Sequence, residues 1–193
     1  MSVLTKDLAS RFLAPLKGRV ALILIHDVTA KMAVGRLMLG CANLHPTETA
    51  VLDVDAFYCT NLDRLAGAEG AGATELMIPP PGAFEVRSLL PLLSSKRRLV
   101  IIDDLNSLRS LAVGESGGHQ LTILMGLLSY VARTNGSWVL ATAYRTDGGG
   151  RRRDERRSLT AFGDTTLDTY VLDGATRLRA ESGTSWPGGE LEI

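Results

Sequence analysis

The chain has 193 residues, of which 45% are apolar and 5% aromatic, with 21 basic and 21 acidic side chains. That length supports one sizeable core, and a single domain is expected over residues 1–193. Balanced charge excludes a global field that would draw the protein to nucleic acid or to a membrane surface, so any such attraction has to be local.

No apolar run approaches a membrane span, and no secretory leader is read in the first residues. Cys41 and Cys59 lack CxxC spacing, which fits a reduced intracellular setting (cytoplasm, nucleoid or nucleus) better than a disulfide framework. His26, His45 and His119 lie far apart in the sequence. They show no metal-ligand spacing, so each is read as a structural or surface histidine and no metal site is expected.

In chain order, residues 3–16 carry Leu4, Leu8, Phe12 and Leu16 at helical spacing. "RVALILIHD" (19–27) is a continuous apolar run of the kind buried on both faces of a sheet. Residues 30–42 return to helical spacing at Ala33, Leu37 and Cys41. "TAVLDVDAF" (49–57) reads as a second strand, 60–67 as one or two helical turns, and "ATELMIP" (73–79) as a third strand stopped by Pro79, Pro80 and Pro81. A short helix over 85–95 leads to a fourth strand, "RRLVIIDDL" (97–105), whose apolar run ends in two carboxylates.

The pattern at 119–134 is the strongest helix, with apolar positions nearly all round it. Leu121, Ile123, Leu124, Leu127, Leu128 and Val131 cannot all face one sheet, so either the N-terminal helix or another subunit is expected over its second side. "SWVLATAYR" (137–145) is a fifth strand, followed by a polar stretch from Thr146 to Ser158. Residues 168–174, 176–182 and 189–193 then read as an antiparallel meander with turns at Gly174 and Gly183. Alternating strands and helices over 19–143 imply an α/β fold: a mostly parallel sheet with helices on both faces and a C-terminal antiparallel meander.

The junction of the first strand with its helix, "IHDVTAKM", stands where a phosphate loop G-x-x-x-x-G-K-[ST] would be expected. Ile25 and Ala30 take the glycine positions, Lys31 keeps the lysine, and Met32 replaces the Mg²⁺-binding hydroxyl. A phosphate loop turns its backbone N–H groups inward around the anion, and its glycines permit that curl and the close approach. Side chains at Ile25 and Ala30 obstruct it, and Asp27 would place a carboxylate in the anion site. Asp27 or Thr29 is expected instead to cap the following helix. Lys31 is read as a solvated lysine in a first helical turn.

The order and spacing of these elements resemble the RecA/RadA recombinase core, including its non-catalytic paralogs. "LVIIDDLNSL" looks like that family's Walker B strand, "AVLDVDAF" sits where it has "YIDTEGTF", and "SWVLATAYR" resembles the strand before its second DNA-binding loop. The likeness runs over roughly residues 18–193. It implies that Asp103, with Asp104 beside it, takes the Walker B position and that Asp55 stands near the general base. With the phosphate loop degenerate at Ile25, Ala30, Lys31 and Met32, those acids are expected to cap loops and helix ends, no ATPase activity is expected, and no ATP or Mg²⁺ cofactor.

The polar stretch "RTDGGGRRRDERR" then takes the place of the DNA-binding loop. Arg145, Arg151, Arg152, Arg153, Arg156 and Arg157 can neutralise phosphates, and no aromatic interleaves them, so backbone binding of single-stranded DNA with little sequence preference is expected. "RFLAP" carries the phenylalanine and alanine of the family's Phe-x-x-Ala polymerisation motif at the wrong spacing, and no N-terminal DNA-binding domain is read. The expected role is therefore an accessory in homologous recombination and repair. It would pair with an active RecA-family recombinase or another paralog as a homo- or hetero-oligomer, away from membranes. A pseudo-ATPase scaffold in another RecA-like assembly, for example an RNA-handling one, and an ATPase with an atypical site are the alternatives.

Overall fold

The computed structural model describes residues 3–66, 75–79, 86–93, 96–111, 117–145, 163–181, 186 and 189–193. The strands are β1 (Val20–Ile25), β2 (Thr49–Asp53), β3 (Glu75–Met77), β4 (Leu99–Asp103), β5 (Trp138–Tyr144), β6 (Thr165–Leu172), β7 (Ala175–Ala180) and β8 (Glu190–Glu192). The helices are α1 (Val3–Leu13), α2 (Val28–Ala42), α3 (Phe57–Ala66), α4 (Leu105–Leu111) and α5 (Gly117–Asn135). All eight strands join one sheet in the order β3-β2-β4-β5-β1-β6-β7-β8.

Continuous apolar runs become central strands because both faces of the sheet are covered. Every residue of β1 is buried, and its side chains alternate. Ala21, Ile23 and Ile25 enter one core with Phe12, Val34, Met38 and Tyr58, from α1, α2 and α3. Val20, Leu22 and Leu24 enter the other with Leu105, Leu121, Leu124 and Leu128, from α4 and α5. Helices therefore lie on both faces, as the alternating pattern implies.

Several boundaries move, each for a local reason. β2 stops at Asp53 because that carboxylate accepts hydrogen bonds from the backbone N–H groups of Tyr58 (3.0 Å) and Cys59 (2.9 Å). The expected strand end 54–57 therefore belongs to a turn and to α3, which is a full helix where only one or two turns were expected. Helix α4 was not anticipated. Asp104 starts it by accepting from Asn106 N at 3.1 Å and from the Ser107 hydroxyl. The helix expected at 85–95 is a 3-10 segment, Val86–Leu93, with Pro91 inside it, which removes a backbone donor.

The three C-terminal strands form the expected antiparallel meander, and its first strand joins the rest of the sheet in parallel. β6 pairs parallel with β1 (Ala21 opposite Thr165 through Leu24 opposite Asp168), and only the β6–β7 and β7–β8 pairs are antiparallel. Phe12 of "RFLAP" is buried and meets Trp186 edge-on at 6.3 Å, so it is a core residue. α1 lies against α2, on the face opposite α5, and does not cover the outer side of α5.

Candidate functional site

β1 and α2 are joined by only two residues, His26 and Asp27. Asp27 is extended (φ −151°, ψ 176°), and its Oδ1 accepts the N–H of Ala30 at 2.7 Å, capping α2 as expected. Positive φ among the described residues occurs at Gly18, Ala56, Asp104, Gly136, Asp173, Gly174 and Gly189, and nowhere between Ile25 and Lys31. No residue of this turn takes a positive φ, and the Asp27 carboxylate accepts at the helix end, where the N–H groups and the helix dipole favour negative charge. Ile25 and Ala30 are buried core residues, and Met32 packs beside that core.

Lys31 is not the solvated lysine expected from its position in the first turn of α2. It is 3% exposed. Its Nζ lies 2.6 Å from Asp55 Oδ2 and 3.2 Å from Asp103 Oδ2. The rings of Phe57 and Tyr144 stand over it, with centroids at 4.5 and 5.3 Å, a cation–π arrangement. The physical reason is compensation: a carboxylate at the end of β4 and another in the turn just after β2 need a cation, and Lys31 is the cation supplied. Burial acts against its charge, but the charges of Asp103 and Asp55 raise its pKa above the ordinary lysine value.

The two carboxylates differ. Burial, followed by the neighbouring Asp55, raises Asp103 to a pKa of about 7 despite the attraction of Lys31. For Asp55, burial acts upward, but hydrogen bonds from Lys31 and from Asp103 hold its pKa below the ordinary carboxylate value. Thr142 connects the acids: its hydroxyl donates to Asp103 Oδ1 at 2.9 Å and accepts from Asp104 N at 2.8 Å. Asp104 caps α4, in line with the reading of these acids as caps, and Asp53, not singled out in the sequence, caps α3; Asp103 and Asp55 hold Lys31, although Asp55 also accepts from the N–H of Phe57 at 3.3 Å.

An open cleft of about 390 Å³ borders Asp55 and is lined by Val54, Asn106, Ser107, Ser110 and Leu111. No basic side chain is among those lining residues. Asp53, Asp55 and Asp103 are the group of described residues that could ligate a metal, with oxygens within 4.8 Å of one another. Asp53 is already committed to the cap of α3, and the other two already share the Lys31 ammonium. The donor set therefore does not fit a resident metal while Lys31 stays in place.

A second polar group, which the sequence reading missed, lies at the carboxyl ends of β5 and β1 and within β6. Asp168, 5% exposed, accepts from Arg145 Nη1 at 2.6 Å and meets His26 Nε2 at 2.9 Å. Arg145 is thus ion-paired at the sheet edge, and His26 has a specific partner. A polar residue inside the apolar β6 run was the available signal, but its partners lie more than 20 residues away. Arg151, Arg152, Arg153, Arg156 and Arg157 lie outside the described residues. The sequence also gave no sign that Phe57 and Tyr144 would enclose Lys31. No described helix is long and apolar enough to cross a membrane.

No family model matches the sequence, and no curated protein matches it. Many solved chains are similar in structure. One is the crystal structure of the RadB recombinase, 15% identical, with a TM-score of 0.60 over 86% of this chain and 81% of that chain. Identity at this level shows the fold alone: a RecA-like core.

Proposed function

We propose, from this RecA-like core, that the protein is a non-catalytic recombinase paralog that works without nucleotide. It would bind single-stranded DNA and assist an active recombinase or another paralog in recombination and repair. The observation that carries the reading is the Lys31 ion pair. The one lysine retained at the phosphate-loop position is buried against Asp55 and Asp103 and turned away from solvent. The capped, glycine-free β1–α2 turn supports the same reading, because it leaves no cradle for a triphosphate.

DNA binding rests on the arginines that follow β5. Five of them, Arg151, Arg152, Arg153, Arg156 and Arg157, fall within seven residues. About three to five neutralised phosphates on a single strand give a log–log salt slope of about −2 to −3.5. The test is a fluorescence-anisotropy titration of labelled oligo(dT) at several salt concentrations, wild type beside the five-alanine variant. Loss of binding and of slope in the variant supports the reading; equal binding by both proteins removes the arginines from it, and binding by neither contradicts it.

A further inference from the structure

We draw no further inference here: the strongest candidate, the row of exposed apolar side chains Ile123, Leu127 and Tyr130 on the outer face of α5, carries nothing because nothing in the structure shows what covers it.

Discussion

Lys31 and Asp55 are 24 residues apart in sequence and 2.6 Å apart in space, joined across the carboxyl edge of the sheet. With Asp103 at 3.2 Å, the buried ammonium has two carboxylate partners and no free direction toward solvent. A charge removed from water in this way is tolerated only when paired, and removing one partner leaves the others uncompensated. The relationship turns a residue usually read as a ligand-binding group into part of the protein's own structure.

Lys31→Met should therefore destabilise the fold by about 3–5 kcal/mol, because Asp55 and Asp103 are left facing each other without a cation. Adding Asp55→Asn and Asp103→Asn to the same chain should recover most of that loss. Urea unfolding of the single and triple variants checks this; a Lys31→Met protein as stable as wild type would mean the pair contributes nothing.

Asp103 predicts a pH dependence. Its carboxyl titrates near 7 in the folded protein, against an ordinary value near 3.8, so between those values the folded state holds the extra proton. Stability contributed by this group is present at low pH and declines as pH rises from about 4 to about 7. Asp55, held below the ordinary value, acts oppositely in a lower window: its contribution is present above that value and is lost on further acidification. Melting temperature should thus fall from pH 5 to pH 8, and Asp103→Asn should flatten that fall. A wild-type curve that rises over this interval by an amount Asp103→Asn leaves unchanged would exclude Asp103 as its source.

The turn that carries Asp55 is strained at its next residue. Ala56 has φ +60°, a left-handed conformation that disfavours a side chain, and its carbonyl accepts from Thr60 N–H in the first turn of α3. Ala56→Gly should stabilise by about 0.5–1 kcal/mol, the strain relieved being partly offset by glycine's larger unfolded-state entropy. The measure is the urea midpoint at constant slope, and a lowered midpoint would contradict it.

Gly35 controls how closely α3 approaches α2. A Cβ there would lie 2.9 Å from Phe57 Cε1 and 3.1 Å from Leu65 Cδ2. Gly35→Ala should push the Phe57 ring off Lys31 and destabilise by about 1–3 kcal/mol, as overpacking does. Thermal melting tests it, and a rise in midpoint would show that α3 yields without loss.

Much of this fold is legible in the sequence because period and burial agree. "VALILI" and "LVIID" have the continuous apolar character of strands covered on both sides, and β1 and β4 are just that. What the pattern hides is decided by side-chain partners distant in sequence. Asp53 ends β2 by capping α3, and nothing in "TAVLDVDAF" distinguishes it from a continuing strand. β6 is the first strand of the meander, as its sequence suggests, but its parallel pairing with β1, more than 140 residues upstream, has no local signal. The cap at Asp27 follows from local chemistry and is readable. The burial of Lys31 is not, because it depends on Asp55, Asp103, Phe57 and Tyr144 converging from three other parts of the chain.

The central claim, that Lys31 closes the nucleotide site from within, is tested most directly by the melting temperature of the wild-type protein with and without saturating Mg·ATP. A ligand that binds only the folded state raises it with the logarithm of ligand concentration over Kd, about 2.7 kcal/mol of stability at a hundred times Kd. The account predicts no shift for wild type and none for the triple variant Lys31→Met, Asp55→Asn, Asp103→Asn. A rise of several degrees in wild type that the triple variant abolishes would show that Lys31 leaves its carboxylates for a phosphate, and would contradict it.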